Sequence, residues 1–248
     1  MTLKVAVAGA SGRMGGTLIE AIGADRELEL AGLLDVTGVG NEIAGLTVSA
    51  DLKSLSDVDV LIDFTRPEGT LAHLKHAQAC VIGTTGFDEK GTSQIAKASK
   101  RIPIVFSPNF AVGVNVVFKL AETAAQTLEG YDVEIVEAHH KHKVDAPSGT
   151  ALKLGDTIAA VLKKKDFAFG RKGDTGERPK KQIGYHSIRG GDIVGEHTVI
   201  YAGQGERVEI TVRSQSRMTY ALGALRAAKW LKGKPAGLYD MFDVLGLR

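Results

Sequence analysis

Two rhythms of apolar and polar positions divide this chain of 248 residues. As far as Phe106, short apolar runs alternate with stretches of helical period. Leu3–Ala8 reads as a strand whose apolar part, Val5–Ala8, ends at Gly9. Met14–Ile22 reads as a helix with Leu18, Ile19 and Ile22 on one face. Leu28–Leu34 is the next strand and ends at Asp35. Val58–Phe64 follows and ends at Thr65-Arg66-Pro67. Thr70–Gln78 reads as a helix and Ala79–Ile82 as a strand ending in Gly83-Thr84-Thr85-Gly86. Glu89–Ser99 is helical, and Ile102–Phe106 is a strand ending in Ser107-Pro108-Asn109-Phe110. Short apolar strands separated by helices predict an α/β fold, a Rossmann-type doubly wound parallel sheet. Ligands of such sheets sit beyond the carboxyl ends of the strands, where all of these loops lie.

After Asn109 the rhythm changes. Val114–Leu128 reads as a helix, Asp132–Ala138 as a strand and Thr150–Leu162 as a helix. Phe169–Lys181, rich in glycine and charge, reads as a long loop, either a lid or a surface excursion. Ile183–Ile188, Thr198–Ala202 and Val208–Ser214 then read as strands with no helices between them. That pattern predicts a smaller α+β domain with a mixed sheet. Ala221–Leu231 is an apolar helix. The tail to Arg248 is too short to fold alone and is expected to pack back on the first domain. The expected division is 1–110 completed by 217–248, and 111–216.

Composition narrows the function classes. There are 31 basic and 29 acidic residues, a net charge of +2, which is too balanced for a nucleic-acid binder. Lys163-Lys164-Lys165 reads as a solvated helix end, since lysine favours the C-terminal side of the helix dipole. The single cysteine, Cys80, excludes an internal disulfide and reads as a small core residue. No apolar stretch approaches membrane-spanning length and no signal-like segment precedes Leu3, so the expectation is a cytoplasmic protein without membrane contact.

Chemistry enters at the first loop. Gly9-Ala10-Ser11-Gly12-Arg13-Met14-Gly15 joins a strand to a helix with the spacing Gly-x-x-Gly-x-x-Gly. Glycines here permit a tight turn, backbone approach to a pyrophosphate and close helix packing. Asp35 ends the second strand, where an acid accepts hydrogen bonds from adenosine ribose hydroxyls. A carboxylate there repels a 2′-phosphate, and Val36-Thr37 offer no cation to offset it. NADH is therefore expected to be preferred to NADPH. Arg66 could reach the adenosine from the next loop.

The second concentration of chemistry is Glu137–Ala151. Three histidines and two lysines fall between His139 and Lys143. Such crowding is tolerated on a solvated surface or where an anion compensates it. Pro147-Ser148-Gly149-Thr150 reads as a helix start with Ser148 or Thr150 as cap, and a helix N-terminus attracts carboxylates and phosphates. Lys143 can act as a general acid, and His139 or His140 can exchange a proton near neutral pH. A metal is disfavoured because two lysines in the run would repel it. His73, His76, His186 and His197 read as structural.

These residues resemble a known family. Glu137-Ala138-His139-His140-x-x-Lys143-x-Asp145-x-Pro147-Ser148-Gly149-Thr150-Ala151 is similar to the signature of the 4-hydroxy-tetrahydrodipicolinate reductases, formerly called dihydrodipicolinate reductases. Gly9–Gly15, Asp63–Glu68, Gly83–Gly86, Asn109–Asn115, Gly191–His197 and Ser216–Thr219 resemble further motifs of that family, in its order. The resemblance implies reduction of 4-hydroxy-tetrahydrodipicolinate by NADH or NADPH in diaminopimelate and lysine biosynthesis. It implies that His139 exchanges a proton and Lys143 donates one. His140, Ser148, Gly149 and Thr150 would hold the dicarboxylate substrate. Gly9, Ala10, Ser11, Gly12, Arg13, Met14, Asp35, Phe64, Arg66, Gly83, Thr84, Thr85, Ser107, Pro108, Asn109 and Phe110 would line the dinucleotide. Lys141 and His142 are left as bystanders. It also implies a homotetramer built through the second domain, and hinges near Asn109–Val112 and Ser216–Thr219. Two departures stand out: Leu74–Cys80 is short between its helix and strand, and no basic residue follows Asp35. Competing readings are a dehydrogenase for another amino-acid-like dicarboxylate, such as aspartate, and an NADH-sensing regulator, which would need no His-Lys cluster.

Overall fold

The computed structural model describes residues 2–163 and 166–248. It divides into two compact units, Met1–Val112 with Arg217–Arg248, and Gly113–Ser216. In the first unit β1 (Leu3–Ala8) leads into α1 (Arg13–Gly23) and β2 (Leu28–Leu34). A small hairpin, β3 (Glu42–Ile43) with β4 (Leu46–Thr47), and a 3₁₀ turn at Leu52–Leu55 precede β5 (Val60–Asp63). Then come α2 (Pro67–His73), β6 (Cys80–Ile82), α3 (Glu89–Ala98) and β7 (Pro103–Phe106).

Each strand pair in this sheet is parallel. Strand alternation splits its side chains between two apolar layers. Val5, Val7, Val60, Ile62, Val81 and Val105 pack with α1 and with Ala221, Ala224, Leu225 and Ala228 of a later helix. Ala6, Ala8, Leu61, Cys80, Ile82 and Ile104 pack with Ile95 of α3 and with Leu74. Cys80 is fully buried, and burial, aided by Asp63, pushes its thiol well above its ordinary value.

The second unit contains α4 (Val112–Thr127), β8 (Asp132–His139), α5 (Gly149–Leu162), β9 (Asp166–Phe169), β10 (Gln182–Arg189), β11 (Gly195–Ala202) and β12 (Arg207–Ser214). The chain then re-enters the first unit with α6 (Met218–Leu231), β13 (Gly237–Tyr239) and α7 (Met241–Leu245). The first sheet thus runs β13-β7-β6-β5-β1-β2, with the tail supplying an edge strand. The second sheet is mixed and runs β12-β11-β8-β10-β9, with β8, β10 and β9 parallel and β11 antiparallel to β8.

Three element expectations need correction. The helix expected over Thr70–Gln78 is α2, which starts earlier because Pro67 suits a first helical turn, and which stops at His73. The helix expected from Thr150 begins at Gly149, with Ser148 as its cap. The loop expected over Phe169–Lys181 loses its first residue to β9. The rest of that loop is tied down by Arg171 and Arg178, which both bond Glu134. Glu134 and His139 are an odd number of residues apart on β8, so they point to opposite faces of the sheet. The anchored loop therefore belongs to the face away from His139. Of the lysine run, Lys163 closes α5 in the left-handed conformation, and Lys164 and Lys165 lie outside the described residues.

Candidate active site

The first unit builds its cleft where β1 turns into α1. Gly9 has φ +83°, and a Cβ there would meet the carbonyl oxygen of Phe64 at 2.7 Å. At Gly15 a Cβ would lie 2.1 Å from the Gly9 carbonyl oxygen, so α1 packs against the turn only because both residues lack side chains. Gly12 caps α1 with no side-chain bond. The start of this helix thus has no side-chain cap, which suits a phosphate. Gly9, Gly12, Arg13, Met14, Gly15 and Phe64 line a cleft of about 330 Å³, joined by Arg217 and Tyr220. Neither of those two was assigned a role from sequence. Arg217 belongs to the Ser216–Thr219 motif, so a signal for it existed.

Asp35, the residue expected to meet the adenosine ribose, is bonded to the glycine turn. Its Oδ2 accepts from the Ser11 amide at 2.9 Å, and its Oδ1 accepts from the Thr37 amide at 3.0 Å and the Thr37 hydroxyl at 2.9 Å. Burial raises the carboxyl, but these bonds outweigh it and hold the group below its ordinary value. The Val36 amide adds to these in holding the carboxylate charged. Val36 is 89% exposed beside it.

The other expected cofactor residues are placed unevenly. Arg66 is exposed at the start of α2, and Thr85 and Pro108 are exposed in their loops. Thr84 is buried and its hydroxyl is engaged with Thr70, the Thr65 amide and Asp63. Only its backbone remains for a ligand. Asp63 itself is fully buried and bonds His73 at 2.7 Å, which gives that histidine a structural role. Ser107 bonds the Asn109 carbonyl, and the Asn109 side chain accepts from the Ala111 amide, so both shape their own loop. Phe110 is a core residue, tilted against Phe64 at 5.8 Å. Gly83 leaves room for the Phe64 ring, which a Cβ would meet at 2.2 Å.

The second unit gathers the histidine cluster at the end of β8. His139 is 9% exposed and its Nδ1 lies 2.5 Å from Oε2 of Glu137. Arg189, its neighbour across β10, clasps Glu137 with both terminal nitrogens at 2.9 and 2.7 Å. Glu137 Oε1 also accepts from the Ser148 amide at 3.2 Å. Ser148 Oγ accepts from the Ala151 amide and meets His197 Nε2 at 3.1 Å. The His197 ring sits edge-on to His139 at 5.2 Å. His197, expected to be structural, is buried and contacts both Ser148 and His139.

Charge states follow from these contacts. Burial raises the Glu137 carboxyl, but bonds from Arg189, Ser187 and His139 overcome this and bring it down to about 2. Burial brings His197 down to about 4, so it is neutral. Burial also lowers His139, with Glu137 opposing it. Lys143 pairs with Asp145 at 2.8 Å and donates its amide to the His140 carbonyl. His140 Nδ1 is buried without a hydrogen-bond partner among the described residues. The space where a Cβ would sit on Gly149 is open. Lys141 and His142 are exposed. The arrangement offers a buried imidazole held by a carboxylate, an ammonium and a helix N-terminus, which together can bind an anion and deliver a proton to it.

Comparison with known proteins places both units. A family model described as dihydrodipicolinate reductase, N-terminus, matches residues 3–110, and one described as dihydrodipicolinate reductase, C-terminus, matches residues 113–245. The chain is 52% identical to the 4-hydroxy-tetrahydrodipicolinate reductase of Thiobacillus denitrificans, with all of both chains covered. It is 54% identical to that of Burkholderia mallei, covering 100% of this chain and 99% of the relative. Among solved structures, the dipicolinate-bound dihydrodipicolinate reductase from Paenisporosarcina sp. TG-14 superposes with a TM-score of 0.81 at 26% identity, covering 98% of this chain and 99% of that one. Matches that run through both units at this level of identity mean that the chain belongs to the dihydrodipicolinate reductase family.

Proposed function

We propose that this protein reduces 4-hydroxy-tetrahydrodipicolinate to tetrahydrodipicolinate, consuming one NAD(P)H and one proton and releasing one water. The observation that carries the reading is the coexistence, in one family member, of the Gly9–Gly15 cleft and the Glu137–Ser148 network. Bound NAD(P)H supplies the hydride. Gly9, Gly12 and Gly15 admit the pyrophosphate to the start of α1, and Arg13 and Arg217 add positive charge at the same cleft. Ser148 caps α5 so that Gly149 and Thr150 present its N-terminus to a substrate carboxylate. His140 would contact the substrate, and its Nδ1 is buried without a hydrogen-bond partner among the described residues. Lys143 carries the proton to be donated, and His139 exchanges one through Nε2. An arriving dianion favours the protonated form of both.

NADH is the preferred donor in this reading. Asp35 is held ionised, no cation follows it, and Val36 is apolar. Substrate generated in situ from pyruvate and aspartate semialdehyde is expected to oxidise NADH with a lower KM than NADPH. A tenfold preference for NADPH, measured side by side, would refute the role given to Asp35. NADH binding without turnover would instead favour a sensor.

The assembly is a homotetramer through the second unit. Its sheet carries His139 and Glu137 on the face packed by α5, while Val136 and Ile200 are only half-buried on the other and Ile188 is 51% exposed. That face suits a second copy of the same sheet. Light scattering is expected to report four chains; a monomer at micromolar concentration would sink this part.

A further inference from the structure

We propose that Glu137 and Arg189 are positioning residues for the proton transfer. They hold His139 as the tautomer protonated on Nδ1, leave Nε2 to the substrate, and through the same carboxylate tie the imidazole to the start of α5. This rests on the function read above, because it matters only if His139 exchanges a proton with a bound dicarboxylate.

The geometry leaves little freedom. An ionised carboxylate accepts hydrogen bonds and donates none. Glu137 is 1% exposed and clasped by a guanidinium at both oxygens, so it is ionised. At 2.5 Å from it, His139 Nδ1 must be the donor. The neutral ring then carries its lone pair on Nε2, and the protonated ring carries a transferable proton there. Without Glu137 either nitrogen could hold the proton, and neutral rings protonated on Nε2 could accept none there.

Glu137 has a second partner that a histidine-orienting acid does not need. Its Oε1 receives the Ser148 amide at 3.2 Å, and Ser148 is the cap of α5. Arg189 reaches the same segment, donating to the Asp145 carbonyl at 2.7 Å. One buried ion pair therefore sets both the imidazole and the anion-binding turn, from strands β8 and β10. A displacement of the turn is transmitted to the ring through a single carboxylate. The charged and titratable groups facing His139 are Glu137, Arg189, Lys143 and, edge-on, His197. Of these Glu137 alone is negative, so it alone favours the protonated ring.

The test is histidine-selective ¹⁵N NMR of the intact protein with steady-state kinetics. Wild-type His139, neutral, is expected as the Nδ1–H tautomer. Glu137→Gln keeps the shape and removes the charge. It is expected to admit the Nε2–H tautomer and to lower kcat by about tenfold to a hundredfold. It should also move the limb of the kcat/KM profile that reports His139 to lower pH, and leave the KM for NADH unchanged. Glu137→Asp, which restores the charge, is expected to return the limb toward its original position. A purely structural role would lower the melting temperature without moving that limb. Wild-type His139 found as Nε2–H overturns the proposal even if the variants fail to fold. So does a Glu137→Gln enzyme with unaltered kcat and pH profile. An inactive wild type with the expected tautomer would instead refute the function and leave the positioning intact.

Discussion

His139 and Lys143 are four positions apart and are held by opposite means. His139 is locked in a buried network, whereas Lys143 is half-buried and leans on Asp145, itself 56% exposed at its side chain. An exposed partner gives little stability and is easily exchanged for another anion. Lys143 can thus trade Asp145 for a substrate carboxylate, while His139 cannot leave Glu137 without uncovering a buried charge. Replacing His139 by Gln or Lys143 by Ala is expected to lower kcat by about a hundredfold, with NADH affinity by fluorescence titration nearly unchanged. Unaltered kcat in both variants would reduce the cluster to a binding patch. The crowding of candidate residues between His139 and Lys143 was legible in the sequence because it lies in one run. Their supports were not. Arg189 meets Glu137 across 52 positions of chain and His197 meets Ser148 across 49, and only the pairing of β8 with β10 and β11 brings them together.

Elements with strong patterns were legible for the same local reason. The apolar runs of β1, β2 and β5 and the amphipathic face of α1 each carry their period within a few residues. Elements defined by a partner were not. β13 is Gly237–Tyr239, three residues with no alternation to read, and exists because it pairs with Pro103–Val105 of β7. β9 similarly borrows its identity from β10, against which Phe167 and Phe169 both approach the Tyr185 ring. Gly83, expected only to line the dinucleotide, and Gly155, to which the pattern gives no role, each make room for an aromatic side chain, Phe64 and Tyr185 respectively. Periodicity predicts which face a residue is on and says nothing about what stands opposite it.

At the scale of the molecule, the groups that organise the second unit also set its response to acid. His197 titrates at about 4 in the fold against an ordinary 6.5. Glu137 titrates at about 2 against 4.5, as does Glu134, where burial raises the carboxyl and Arg171, Arg178 and His186 more than reverse it. Each folded value is depressed, so the unfolded chain takes up these protons first. Stability is therefore full above pH 6.5 for these groups. It declines between 6.5 and 4 through His197 and between 4.5 and 2 through the two glutamates. The His197 contribution is on the order of 3 kcal/mol. Urea unfolding across this range is expected to show that decline, and His197→Gln to flatten its upper part; an unchanged slope in the variant would be the contrary result. Behind this lies the way β8 is read. Its alternate residues serve different masters: Val133, Ile135, Glu137 and His139 on one side, Asp132, Glu134, Val136 and Ala138 on the other. The strand behaves like a message with a frame of two. One residue inserted or deleted between Asp132 and Glu134, with Asp132 held in place, would leave the composition almost untouched and exchange the two texts. It would swing the imidazole and its carboxylate out of the site and aim the arginine-binding glutamate inward. Descendants of this chain are free to change loops in length, but within β8 they can vary letters only.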